Sequence, residues 1–295
     1  MTAAASDNVG APSGPVLELK VFTSPTRPIA GGGGRTFSPV TSSLILGGSE
    51  AVLVDAQFFR DDVEALGDMI ADSGRKLTTM FITHGHGDHY FGAGRLVERF
   101  AGAQVVTTPG VIAFIKAHRE QDLATFSAMF GDAVVTPTVT PSPLASGVIT
   151  LEGHALHVID VGQGDVAPTA VLHVQVLQAV IAGDVAYNQI HQMLGFSGPS
   201  EWERWIESLD AIERLHPRIV VAGHKKPEVD DDATRILDGS RAYIRDFAEA
   251  AGSAGSVQEI IGTMQANYPD HGNLTTLHYA AGAAFKARAP SKAIG

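Results

Sequence analysis

The chain reads as an α/β protein whose strands and helices come in two successive blocks, residues 16–130 and 148–224. Short β-branched apolar runs mark the strands, apolar residues at helical spacing mark the helices, and glycine- and proline-rich turns separate them. No exact sequence repeat relates the two blocks. The order suits an αββα sandwich, two mixed β-sheets packed together with helices outside. On order alone a doubly wound parallel sheet competes with it.

In the first block, residues 16–22 form a strand, and residues 24–39 carry prolines and the run Gly31-Gly32-Gly33-Gly34, a flexible loop. These glycines lack a following Lys-Ser or Lys-Thr and so do not make a phosphate loop. Residues 42–46 and 51–55 are strands around the turn Gly47-Gly48-Ser49. Residues 61–73 have helical spacing at Val63, Leu66, Met69 and Ile70. A strand over 78–83, a helix over 93–100, a strand over 104–107 and a longer helix over 110–130 follow.

The second block predicts strands at 148–151, 155–159, 170–176 and 179–182. A helix then starts at Ser200, where Ser200 and Glu203 have capping-box spacing. Its residues Trp202, Trp205, Ile206, Leu209 and Ile212 form one apolar face, which fits core packing. The last strand covers 218–222, and helix continues from about Ala233 to the end. The expected organisation is a disordered tail over 1–15, a domain over 16–230, and a C-terminal helical extension over 231–295 packed on that domain. Asp230-Asp231-Asp232 reads as a solvated helix start. The stretch from Tyr268 to Asn273 reads as a solvated turn, with Asn273 capping the last helix.

Composition narrows the function. The 295 residues are 44% hydrophobic and 18% charged, the balance of a globular chain. The longest apolar runs, such as Ala179-Val180-Ile181-Ala182, are too short for a bilayer, so no membrane partner is expected. The tail lacks the basic start and apolar core of a signal peptide. There is no cysteine, which excludes disulfides, thiolate zinc sites and a thiol nucleophile. With no export signal, a cytoplasmic location is expected. The net charge of −11 argues against a nucleic-acid partner and leaves a small-molecule substrate. Oligomeric state is not legible.

The richest segment is Phe81-Ile82-Thr83-His84-Gly85-His86-Gly87-Asp88-His89. Three histidines and an aspartate fall within six residues, directly after a strand. Neutral imidazole and carboxylate both suit borderline metal ions. Gly85 and Gly87 are expected to let the backbone turn tightly so that alternate side chains converge. The spacing is not that of a helical zinc protease.

This His-x-His-x-Asp-His loop at a strand's end resembles the metal loop of the metallo-β-lactamase superfamily. The resemblance decides for the αββα sandwich and covers roughly 16–224. It implies that His84 and His86 bind one metal and that Asp88 and His89 bind a second. Asp184, after the apolar run Val180-Ile181-Ala182-Gly183, matches the carboxylate that bridges both. His224, after Val220-Val221-Ala222-Gly223, matches the last histidine.

One position departs from the pattern. The first metal's third histidine is expected in a Gly-His turn, and the matching turn here is Val161-Gly162-Gln163-Gly164-Asp165. An amide oxygen from Gln163 is a poorer zinc ligand than imidazole, and Asp165 is placed to reach in instead. His154, His157 and His173 lie in or beside strands and read as packed or exposed.

The implied activity is hydrolysis of an ester, lactone or thioester carbonyl by a metal-activated water, with zinc in one or two sites and iron or manganese as alternatives. Asp88 is placed to accept the water's proton. Tyr187, three residues after Asp184, matches the offset of a substrate-contacting tyrosine in acyl-homoserine lactonase relatives, and packing beneath the next loop is its other reading. His191 is a further candidate for the same mouth. The alternative is a metal-binding protein of this fold with altered or lost hydrolase activity, marked by Gln163.

Overall fold

Residues 16–29 and 31–288 are described in a computed structural model, and the expected tail over 1–15 lies outside the described residues. The first block contains β1 (Glu18–Thr23), a small hairpin of β2 (Arg27–Pro28) and β3 (Thr36–Phe37), β4 (Thr41–Leu46) and β5 (Glu50–Val54). Helix α1 (Arg60–Asp72), β6 (Lys76–Phe81), the single turn α2 (Gly87–Tyr90), α3 (Ala93–Arg99), β7 (Gln104–Thr107), α4 (Pro109–Phe130) and β8 (Ser142–Pro143) follow. The second block contains β9 (Val148–Leu151), β10 (His154–Gly162), β11 (Thr169–Val174), β12 (Ala179–Asn188), α5 (Pro199–Glu213) and β13 (Ile219–Lys225). Helices α6 (Ala233–Ser253), α7 (Val257–Asn267) and α8 (Leu274–Arg288) complete the described chain.

Apart from the β2–β3 hairpin, the strands make two separate sheets, so the doubly wound alternative does not apply. One sheet has the order β1-β4-β5-β6-β7-β8 and the other β13-β12-β11-β10-β9. Both are mixed. The β1-β4-β5 pairings are antiparallel and those from β5 to β8 parallel, while β12-β13 is the parallel pair of the second sheet.

The central strands serve two cores. Ile45, Val52 and Val54 face the seam between the sheets, where they meet Leu156, Leu172, Ile181 and Val221. Their neighbours Leu44, Leu46 and Leu53 face outward beneath the helices of the first block. Strands β5 and the first halves of β12 and β13 are therefore nearly continuous apolar runs, because helices cover the outer faces as well. On the second sheet, Trp205 and Leu209 of α5 join Tyr243 and Phe247 of α6 and Leu277 of α8 in one core. The Trp205 indole donates to Val185 O at 2.8 Å. Among the described residues no helix is long and apolar enough to cross a membrane.

Several local expectations change. Helix α5 is capped at Gly198 and not at Ser200: Pro199 occupies the first turn, and Glu201 reaches back to accept from the Gly198 amide at 3.1 Å. Strand β12 continues through Asp184 to Asn188, and β13 through His224 to Lys225, with pairing that slips at Gly183. Asn273 directly precedes α8, and its carbonyl accepts from Thr276 N at 3.1 Å. It has φ 61° and, with its amide oriented to satisfy both partners, donates to Thr36 O at 2.8 Å and accepts from Ser38 N at 3.2 Å. The preceding turn is exposed at Pro269 and Asp270 as expected and is pinned at its other end, where Gly272 N donates to Gln189 O at 2.8 Å and His191 N to Gly272 O at 3.0 Å. Asp230 and Asp232 are exposed and Asp232 caps α6, the helix start that the sequence predicts, while Asp230 also pairs with Arg235 and Asp231 with Lys225.

One side chain clasps the two sheets at the end away from β13. Glu152, in the β9–β10 turn, accepts from Ser49 N at 2.6 Å and Glu50 N at 3.0 Å, and also from Ser49 Oγ and Gly48 N. The Ser49 hydroxyl and these amides pull its carboxyl down to about 2. A depressed carboxyl stabilises the fold above its unfolded pKa and loses that contribution as pH falls through its folded value. Glu152→Gln should therefore melt below wild type at pH 7. That gap should close between about pH 4.5 and about pH 2 in thermal melts followed by circular dichroism.

Candidate metal centre

Strand β6 ends at Phe81 against its parallel neighbours, and the chain turns at Thr83 into the histidine loop. Gly85 and Gly87 are needed for space and not for a left-handed turn, since neither has a positive φ. A Cβ at Gly85 would lie 2.3 Å from the Phe114 ring, and one at Gly87 2.3 Å from the Phe91 ring.

The loop meets the second sheet at its β12–β13 edge. His84, His86, Asp165 and Asp184 bring one donor atom each within 4.8 Å of one another. Asp88, His89 and His224 form a second such set. Asp184 touches both sets. Its Oδ1 lies 3.2 Å from His89 Nε2, and its Oδ2 lies 3.2 Å from His224 Nε2 and 3.9 Å from His84 Nε2. Asp88 Oδ2 lies 3.6 Å from His89 Nε2 and 3.5 Å from His224 Nε2.

Each imidazole is aimed by what its other nitrogen touches. Nδ1 of His84 meets Thr83 Oγ1 at 3.0 Å, that of His89 meets Asp55 Oδ2 at 2.9 Å, and that of His224 meets Pro39 O at 2.7 Å. All three leave Nε2 for the centre. His86 differs: its Nδ1 faces Asp165 Oδ2 at 2.7 Å. Gly223 makes room for the carboxylate, because a Cβ there would sit 2.0 Å from Asp184 Oδ1.

Two residues complete what the sequence left incomplete. Asp55, at the end of β5, was not singled out by the sequence. It accepts from Thr83 N at 2.9 Å and Thr83 Oγ1 at 2.8 Å besides holding His89, so it orients His89 directly and His84 through Thr83. The available signal was an apolar strand ending in a carboxylate beside the strand that carries the loop. The place beside His84 and His86 is taken by Asp165. Gln163 is buried, and its side-chain amide donates to Gly164 O at 3.0 Å.

The remaining candidates separate into two groups. Tyr187 is buried, its hydroxyl donates to Asp184 Oδ2 at 2.8 Å, and its ring stacks on His224 at 5.4 Å. His191 is packed, with Nδ1 2.8 Å from the Tyr243 hydroxyl and its ring beside His271. His157 and His173 are a cross-strand pair on β10 and β11, and His154 is buried at the start of β10.

A family profile for the metallo-beta-lactamase superfamily matches residues 35–224. The chain belongs to the metallo-beta-lactamase superfamily. No curated protein sequence matches it significantly. A metallo-beta-lactamase family protein from Thermus thermophilus shares 21% identity and a TM-score of 0.62, covering 90% of this chain and 91% of its own. A beta-lactamase domain protein from Burkholderia ambifaria shares 18% identity and a TM-score of 0.58, covering 83% and 81%. A metallo-beta-lactamase from Pontibacter korlensis shares 18% identity and a TM-score of 0.56, covering 78% and 100%. At these identities the likeness is one of fold.

The superfamily implies metal, and the residues fit one. His84 Nε2, His89 Nε2 and Asp184 Oδ1 are buried without a hydrogen-bond partner, although buried polar atoms are ordinarily satisfied. Asp88, Asp165 and Asp184 are all buried in the same place, an arrangement that calls for positive charge. Burial, reinforced by His89, holds His84 well below the ordinary imidazole range, in the neutral form that binds metal. Burial alone would raise Asp184, yet His224 and His89 outweigh it and hold the carboxyl well below the usual range. His86 is drawn up to about 9 by Asp165 against the opposing effect of burial.

Metal content should follow these contacts. Asp165→Ala should lose metal from the His84–His86 set, whereas Gln163→Ala should retain it, as read by mass spectrometry after dialysis. Equal retention in both variants would remove Asp165 from the set. Asp55→Ala should weaken metal binding by about 10- to 100-fold in competition with a chelator, the range for a residue that orients a ligand.

Proposed function

We propose that the protein is a metal-dependent hydrolase acting on the carbonyl of a small-molecule ester, lactone or thioester. The observation that carries this reading is a pair of donor sets joined by one carboxylate, Asp184, with the Tyr187 hydroxyl 2.8 Å from that carboxylate. Superfamily membership supports the coarser statement of a hydrolase.

On this reading His84, His86, Asp165 and Asp184 would hold one ion, and Asp88, His89, His224 and Asp184 the other. Zinc suits this mixture of imidazole and carboxylate, and the extra carboxylate oxygen of Asp165 leaves iron or manganese as alternatives in the first set. Such an ion polarises a carbonyl and brings the pKa of water toward neutrality.

The chain's own residues do the rest. Asp88 offers a buried carboxylate oxygen within 3.6 Å of two imidazoles, where it can take a proton from water beside the substrate. The Tyr187 hydroxyl is pushed well up by burial and by the Asp184 carboxylate, so it remains a donor. On this reading the hydroxyl would redirect its one proton from Asp184 Oδ2 to the substrate's carbonyl oxygen as negative charge develops there. Its ring, stacked on His224, holds the hydroxyl beside the centre. No serine or cysteine nucleophile is required, consistent with a chain that has no cysteine. The Asp165 carboxylate 2.7 Å from His86 supports this reading over the alternative of altered or lost hydrolase activity marked by Gln163.

Asp88→Ala and Asp184→Ala should each abolish hydrolysis in a panel of ester, lactone and thioester substrates while circular dichroism stays close to wild type. Full turnover in either variant on a confirmed substrate would contradict the mechanism. Tyr187→Phe should lower kcat by up to about 100-fold with metal content unchanged, the order expected for one lost oxyanion donor. An unchanged kcat would return Tyr187 to a packing role.

A further inference from the structure

Beside the metal centre, three elements that are distant in sequence place aromatic rings in a row. His86 is the most open of the clustered histidines, at 15% exposure. Its ring centroid lies 6.0 Å from that of Phe114 on α4 and 5.2 Å from that of Phe196 in the short helical turn Leu194–Phe196. Phe196 continues at 5.5 Å to Tyr279 on α8. Phe196 is 53% exposed and Tyr279 50%, unusual for rings that touch each other next to a buried site. The Tyr279 ring is seated, not loose: a Cβ at Gly195 would lie 2.6 Å from it.

We propose that Phe114, Phe196 and Tyr279 form a shelf that binds the apolar acyl chain of the substrate, running outward from the metal centre past His86. The inference rests on the hydrolase reading above and narrows its substrate class to medium-chain acyl esters, lactones or thioesters. Three features select this occupant. The shelf is continuous with the metal centre through His86, so a group lying on it is attached to whatever reacts there. The three ring residues carry no charge, so an acyl chain gains from burial on them. Tyr279 also lies on α8, outside residues 35–224 that match the superfamily, so the C-terminal helices contribute to selecting the substrate.

A fully buried methylene is worth about fourfold in affinity, and a one-sided shelf about half that free energy, or roughly twofold. The test uses the metal-loaded protein and p-nitrophenyl esters from acetyl to octanoyl. In the wild type kcat/KM should rise about twofold per methylene, mainly through KM. In Phe196→Ala and Tyr279→Ala that slope should flatten. A parallel arm measures binding of octanamide and acetamide by ligand-observed NMR, which needs no turnover. Octanamide should bind the wild type more tightly than acetamide, and the preference should fall in both variants.

A flat slope in the wild type together with no preference for octanamide overturns the shelf. Absence of all ester, lactone and thioester hydrolysis with an intact octanamide preference overturns the hydrolase reading and leaves an apolar binding surface. Variants that change sedimentation behaviour while keeping the octanamide preference would assign the rings to contact between copies of the chain, and this too overturns the shelf.

Discussion

Three carboxylates buried among four imidazoles set the terms for the rest of this fold. Asp88, Asp165 and Asp184 lie in one small volume, and removing such groups from water is tolerated only where opposite charge and hydrogen bonds compensate. Asp184 is the junction: it contacts His89 and His224 at 3.2 Å and takes the Tyr187 hydroxyl at 2.8 Å. The compensation comes from both sheets. The first contributes the loop that carries His84 to His89, and the second contributes Asp165, Asp184 and His224. The centre therefore fastens the sandwich seam as well as shaping a reactive site. Direct bonds reinforce the junction, with Ala170 N donating to Thr83 O at 2.9 Å and Thr41 Oγ1 to Ala222 O at 2.6 Å.

Much of this was legible in the sequence because the chemistry is local. Six consecutive residues carry four of the donors, and a turn after a strand is enough to make them converge. Asp184 and His224 were legible from their order and from the apolar strands ahead of them. The strands themselves run on to Asn188 and Lys225, further than the apolar runs suggest, because a functional site buries polar residues where the pattern asks for apolar ones. Asp55 left only a faint signal, since its partner His89 is 34 residues away and strand pairing alone brings them together. The exchange of Asp165 for Gln163 is a matter of turn geometry: Gly164 N bonds to Val166 O and swings the next side chain inward. Helix periodicity found α5 but misplaced its start, because Pro199 and Glu201 cap it two residues earlier than Ser200 would.

The surroundings of the centre are built by parts whose roles no short motif announces. The hairpin of β2 and β3 is held to α1 by the ion pair of Arg27 with Asp62 and to α8 through Thr36 and Thr275. Phe37 at its end packs on Phe58 and Phe126 and reaches the His224 ring. The C-terminal helices are tied in through Tyr243 on His191 and through the strand-like pairing of Ile190 with Gly272. Loops that frame the mouth are thus fixed from outside, so the donor atoms can be held close together without collapsing onto one another. Preorganisation of this kind is what a metal site needs, since ligands that must be gathered on binding cost affinity.

The most direct test is anomalous diffraction at the zinc edge from crystals of the protein grown with zinc. Two peaks are expected, one at roughly 2.0–2.2 Å from donors of His84, His86, Asp165 and Asp184, the other at similar distances from Asp88, His89, His224 and Asp184. A map with no peak at the centre, or one in which Asp184 lies outside coordinating distance of every bound ion, would contradict the account.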